Sequence, residues 1–213
     1  MNSCWIVSGK NGKKMVLAMP NEDYALVLDF LPRGKANSYK SEPVAQVIGT
    51  RFFTLLEITP KAGTEFRILE KIYVGRDQRE KVEFIKGRVS YMELTSNSVA
   101  ELDKAIDKIV SEDEPRFVEF FNKATAITIK RHQLELLPGL GKKHLFDILG
   151  QRQQKPFESF ADLEQRVKLM PNPRQTIAKR VIEELMAASE RHYLFARPPS
   201  EENSEKHFRG FRK

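Results

Sequence analysis

Residues 134–149 run Leu134-Glu135-Leu136-Leu137-Pro138-Gly139-Leu140-Gly141-Lys142-Lys143-His144-Leu145-Phe146-Asp147-Ile148-Leu149. Apolar residues on either side of a Pro-Gly-x-Gly step predict a helix, a tight turn and a second helix. Gly139 and Gly141 have no Cβ, so the backbone there can bend sharply and present its N–H groups. Those groups fall where the second helix begins. A helix start leaves its first N–H groups without partners and carries partial positive charge, and such an end seats a phosphate. Lys142 and Lys143 follow at once and add full charges.

This pattern resembles the helix-hairpin-helix motif of proteins that grip nucleic-acid backbones. The charge around it agrees. Between Lys130 and Lys155 stand Lys130, Arg131, Lys142, Lys143, Arg152 and Lys155 against Glu135 and Asp147, whereas the next stretch, Pro156 to Arg191, is neutral. A solvated helical surface is the alternative account of such a cluster; the adjoining turn favours the phosphate. The whole chain has 213 residues and a formal net charge of +7, which suits a polyanionic partner without requiring one.

A related run lies downstream. Met170-Pro171-Asn172-Pro173-Arg174 matches Leu137-Pro138-Gly139-Leu140-Gly141 at an offset of 33 residues. Ser159 is placed to cap the helix before it. The region 127–196 is therefore expected to be a tandem helix-hairpin-helix domain with a degenerate second copy. That copy lacks both glycines, and Pro173 removes a donor, so its expected role is packing against the first. Two ordinary helical pairs sharing a Pro turn would look the same.

Upstream the pattern changes. Tyr24–Leu31, Val44–Ile48, Phe52–Ile58, Phe66–Val74 and Val82–Leu94 are rich in β-branched and aromatic residues, with Gly and Pro between them. Five short strands in residues 23–95 predict a small β-barrel of the OB kind, with an SH3-like barrel as the alternative. Residues 96–126 are expected to be linking helices. Ser98-Val99-Ala100-Glu101 has the form of a capping box, Pro115 suits a first turn, and Phe117, Phe120 and Phe121 should anchor the second helix. The fold class is α+β. Residues 1–22 are expected to be a poorly ordered leader, with Met15 or Met19 as alternative starts. Residues 197–213 are polar enough to predict a disordered tail, whose Phe208, Arg209, Phe211, Arg212 and Lys213 would at most supplement RNA contacts.

Several blocks together are similar to an archaeal family of unknown function whose members are labelled predicted nucleic-acid-binding or RNA-binding proteins. They are Tyr24 through Gly34, Phe52 through Glu57, Phe117 through Ala124, Leu134 through Lys143, and Pro156 through Phe160. The resemblance spans about 24 to 195. It implies an OB-like domain joined to a helix-hairpin-helix module, archaeal origin, and RNA in preference to DNA.

The primary expected site is Gly139, Leu140 and Gly141 offering N–H groups to one phosphate, with Lys142, Lys143, Lys130 and Arg131 supplying charge. Such contacts hold a backbone without reading bases. A weaker secondary face is expected on the β domain. Arg67, Lys71 and Tyr73 share one side of a strand, Arg51 and Phe53 adjoin it, and the Pro32–Ser41 loop adds Arg33, Lys35, Tyr39 and Lys40. Cations beside an aromatic suit single-stranded nucleic acid.

Other classes draw little support. Gly-Leu-Gly-Lys-Lys lacks the spacing and the Ser or Thr of a Walker loop. One cysteine and four histidines make no zinc series, and no metal or cofactor is expected. A glycosylase or nuclease would need a catalytic residue in a pocket and none can be assigned, so a non-enzyme is expected. The absence of a signal peptide or membrane run points to a cytoplasmic protein. The rival reading is an adaptor in a ribosomal or RNA-processing assembly, its turns buried against another protein.

Overall fold

The computed structural model describes residues 5–6, 21–35, 42–187 and 192–197. Tyr39, Lys40 and the tail beyond Arg197 lie outside the described residues. Two parts of the expected leader are placed. Trp5–Ile6 forms β1, paired antiparallel with β9 (His192–Tyr193), and Glu22 is buried.

The β-rich stretch forms β2 (Tyr24–Leu31), β3 (Val44–Gly49), β4 (Leu55–Pro60), β5 (Lys71–Tyr73) and β6 (Val82–Arg88). They make a sheet of order β5-β2-β3-β4-β6 in which every neighbouring pair is antiparallel. The sheet curls into a half-barrel. A register shift between Val27 and Asp29 helps the curl, since a bulge adds local twist. Ala25, Val27, Ala45, Val47, Leu56, Ile58, Phe66, Ile72 and Val74 form one buried cluster. The opposite face of β3 is also covered, and all six of its residues are buried. Buried on both faces, the strand loses the polar alternation of a half-exposed sheet.

Three expected strands differ from those found: the one expected over Phe52–Ile58 runs Leu55–Pro60, and the last two are shorter than expected. Phe66–Glu70 is a turn rather than strand. Leu69 has φ +62, and the Glu70 carboxylate turns back to accept the Arg67 N–H at 2.9 Å. Glu70, the residue that broke the alternation, is thus the one that closes the turn. The last strand stops at Arg88, and Ser90 and Glu93 form a capping box on the short 3-10 helix Tyr91–Glu93.

Among the described residues five α-helices follow: α1 (Ser96–Glu112), α2 (Glu114–Lys123), α3 (Lys142–Gln154), α4 (Phe160–Arg166) and α5 (Pro173–Met186). Thr95, not Ser98, caps α1: its Oγ1 accepts the Ser98 N–H at 3.0 Å. Ser98 is buried and donates to Gln46 Oε1 at 2.7 Å. A Ser three residues after a Thr carries the same local signature as a cap; only the sheet beneath it decides which does what.

The described residues separate into two units, one within 5–105 and 184–197, the other 106–183. In the second, Phe117, Phe121, Leu134, Leu137, Ile148, Leu163, Ile177 and Val181 are buried. A short hairpin of β7 (Ala126–Thr128) and β8 (Arg131–His132) precedes the turn region. Polar clamps fix the connections. Asn122 exchanges two hydrogen bonds with the Phe157 backbone, at 2.9 and 2.8 Å. Arg166 donates to the carbonyls of Gln151, Lys155 and Pro156, at 2.6, 2.6 and 3.3 Å.

Candidate nucleic-acid interface

The Pro-Gly-x-Gly step is a tight turn leading into α3, as its glycines require. Gly139 has φ +82, a backbone region that costs an L-residue about 1–2 kcal/mol. The element before the turn is shorter than expected: a 3-10 helix, Gln133–Leu136, opened by His132. Its entry is already fixed by side chains, because His132 Nδ1 accepts the Leu134 N–H at 3.2 Å and Glu135 accepts the His132 N–H at 2.7 Å. Burial, with Arg152 nearby, holds the His132 imidazole below its usual value of 6.5 against the pull of Glu135.

The amides of the turn divide. Leu140 drops out of the expected donor set, since its N–H donates to Leu137 O at 3.1 Å and its side chain is buried. Among the described residues the N–H groups of Gly139 and Gly141 have no acceptor. Both glycines are exposed, as are Lys142 and Lys143. Gly141 is the N-cap of α3, extended at φ −92 and ψ −179, and no side chain caps the helix. A Cβ added at Gly141 would meet nothing within 4 Å. The fold therefore has room for a Ser, Asp or Asn cap, residues that satisfy the first amides of most helices. Here those amides stay open.

The second turn shows the opposite arrangement. Asn172 caps α5, accepting the Gln175 N–H on Oδ1 at 3.0 Å, and Pro173 at the first helical position has no N–H. The two cap positions, Gly141 and Asn172, lie 31 residues apart, so the helix starts are two residues out of the register that the sequence match suggested. The two turns touch. A Cβ on Gly139 would lie 3.4 Å from Pro171 Cγ, and His144 Nε2 meets Leu169 O at 3.0 Å. Leu169 has φ +56 and is 85% exposed, and Phe146 on α3 is 68% exposed. Neither residue belonged to the expected site; an apolar side chain in a helical pattern gives no sign that it faces water.

The flanking charge is smaller than composition suggests. Arg152 is structural, its Nη1 donating to Phe121 O and Ala124 O at 2.9 Å each. Lys155 pairs with Glu158 at 3.0 Å. Lys130 and Arg131 are exposed at the β7–β8 turn, on a hairpin separate from the glycine turn.

On the sheet the expected secondary face does not assemble as one surface. Phe53 is fully buried with φ +50, because the tight β3–β4 connection turns it inward. Arg67 sits in the turn before β5, off the strand that carries Lys71 and Tyr73. Lys35 pairs with Glu57, Arg33 is exposed, and Arg51 lies over the Phe52 ring at 5.2 Å. What does assemble includes a residue outside the expected set. Tyr24 stands opposite Tyr73 across the β2–β5 pair. The rings meet edge to face at 5.5 Å, with Lys71 Nζ 5.6 Å from the Tyr24 ring. Cross-strand register is the signal that finds Tyr24, and it needs the strand pairing first.

Among the described residues no cluster of His, Cys, Asp and Glu could hold a metal ion, and no helix is long and apolar enough to cross a membrane.

Comparison with known proteins finds relatives in sequence and one in structure. The family model described as "Protein of unknown function (DUF655)" matches residues 21–197. An uncharacterised protein of Methanocaldococcus jannaschii, MJ0038, is 38% identical over 177 residues, covering 83% of this chain and 80% of that protein. The crystal structure of Af1531 from Archaeoglobus fulgidus, of the same family, superposes with a TM-score of 0.77 at 42% identity. It covers 83% of this chain and 100% of that one.

Proposed function

Because the chain belongs to the DUF655 family, with archaeal relatives and no activity attached to the family name, we propose its function from its own geometry: it is a non-catalytic protein that binds nucleic acid, RNA in preference to DNA, by the phosphate backbone. The Gly139–Lys143 turn is the proposed seat. One observation carries the reading: an exposed helix start with room for a capping side chain has none, while the neighbouring turn is capped by its own Asn172. The open N–H groups of Gly139, Gly141 and the first turn of α3 would donate to a phosphate, and Lys142 and Lys143, exposed and next in the chain, would add charge to it. Lys130 and Arg131 extend the charge, and none of these groups reads a base edge.

The test is binding of a labelled single-stranded RNA to the full chain as salt is varied. Neutralising about three phosphates of a single strand gives a slope near −2 for log K against log salt. Lys142→Glu with Lys143→Glu should flatten that slope and weaken binding at least tenfold. A double variant that binds as the wild type overturns the reading. A second reading rests on Phe146 and Leu169, apolar and exposed beside the same turn: an adaptor that docks on a protein partner. It predicts partner capture lost in Phe146→Ser and unaffected by the lysine changes.

A further inference from the structure

The β7–β8 hairpin lies in the unit that holds the glycine turn, and its tip is Ile129 and Lys130, between Thr128 and Arg131. The base of the hairpin is clamped. The Gln133 N–H donates to Thr125 O at 3.0 Å, and Gln133 Oε1 accepts the Thr125 N–H at 2.8 Å. His132 and Gln133 are buried. The tip is the reverse. Ile129 is 106% exposed, more than any other large apolar residue among those described, and Lys130 and Arg131, next in the chain, are exposed as well. Their side chains have no ion pair or hydrogen bond among the described residues.

Folding does not account for this tip. Two-residue hairpin loops favour Asn, Asp and Gly, which tolerate positive φ. Ile129 and Lys130 are none of these, and neither has a positive φ. A β-branched side chain suits a strand rather than a turn, and a wholly exposed one gains nothing from burial. One exposed apolar residue alone implies no partner. Here it adjoins two cations that nothing neutralises, on a base held by its own hydrogen bonds. That combination fits a ligand with apolar faces between anionic groups, which is the chemistry of stacked bases on a phosphate backbone.

We propose that Ile129 is a wedge that enters between stacked bases of the bound nucleic acid, with Lys130 and Arg131 on the flanking phosphates. This wedge presupposes the nucleic-acid binding proposed for the glycine turn and adds to it a contact with bases. Apolar side chains such as Ile part neighbouring bases in this way. Such an insertion senses how readily a step unstacks and does not read base edges. A lipid surface also takes apolar side chains beside cations, but binding there scales with the apolar area buried, and one side chain offers little.

The experiment titrates the full chain into an RNA strand that alternates adenosine with 2-aminopurine riboside, alone and paired with a uridylate strand. 2-Aminopurine is dim when stacked and brightens when its neighbours part. Binding is followed separately by the anisotropy of an end label. The wild type should brighten the probe. Ile129→Ser, at a position that touches no core, should remove the brightening and weaken binding about fivefold; Ile129→Leu should keep both. Arg131→Gln should flatten the salt slope by about 0.7 on the single strand and leave the brightening at saturation. Brightening of the paired probe as well means that the wedge opens a duplex; brightening of the single strand alone confines it to unpaired stacks. Binding with the salt slope intact and no brightening, or brightening that survives Ile129→Ser, overturns the wedge and leaves the glycine turn standing. No binding at all overturns both. Phosphatidylserine vesicles are the last arm: capture by them that Ile129→Ser abolishes, with the RNA probe dark, overturns the wedge in favour of a lipid surface.

Discussion

Gly141→Asp separates binding from folding at the proposed seat. The position is extended, as an N-cap must be, and a new Cβ points into open space. The Asp carboxylate would accept the free N–H groups at the start of α3 and set a negative charge on the positive end of the helix. A side-chain cap gains only a few tenths of a kcal/mol over Gly, and the charge adds about 0.3–1 kcal/mol. Folding stability should rise by roughly 0.5–1 kcal/mol, or about 1–4 °C in thermal midpoint for a chain of this size. Binding should move the other way. The amides that face the phosphate become occupied, and a like charge stands in front of them. Losing one charge-assisted contact of about 1.5–3 kcal/mol weakens affinity roughly tenfold to a hundredfold. Gly141→Ala is the control: it adds no acceptor, lowers stability slightly and keeps most of the affinity. Thermal unfolding and fluorescence anisotropy with a labelled oligouridylate read both quantities. A Gly141→Asp variant that folds more stably and binds RNA as the wild type does would refute the argument that open amides are the seat.

Other consequences follow from single contacts. Gly139→Ala forces a Cβ into φ +82 and should cost about 1–2 kcal/mol of stability, read as a lower urea midpoint with unchanged cooperativity; an unchanged midpoint means the turn relaxes freely. Glu22→Gln removes the charge that three backbone amides share and should destabilise the sheet unit by about 1–3 kcal/mol, measured by chemical unfolding. His132 is held below 6.5 in the fold, so the unfolded chain takes a proton first as pH falls. Its contribution is complete above the unfolded value and declines as pH drops from about 7 toward the lower folded value. Urea midpoints at pH 7.5 and 5.5 should differ less in His132→Asn, which keeps a capping side chain without the imidazole; an equal difference in both proteins removes His132 from the account.

By itself the sequence determined the local events. Strand composition between Gly and Pro located β2 to the residue and β3 to within one. Pro-Gly-x-Gly located the bend before α3, and Ser159 located the start of α4, where its Oγ accepts the Asp162 N–H at 3.0 Å. The resemblance gave a family of unknown function with archaeal relatives. These features depend on neighbouring dihedrals and side-chain periods, which a short window contains. Tertiary structure decided which polar groups remain open. Leu140 looked like a donor until Leu137 took its N–H, Arg152 looked like surface charge until two carbonyls took its guanidinium, and Phe53 looked like a stacking face until the turn buried it. Arg88 Nη2 reaches Arg197 O across 109 residues of chain, beyond the reach of any local pattern. A hydrogen-bonding group in a folded chain is free or occupied according to what the rest of the chain brings to it, and that is settled only when distant segments pack.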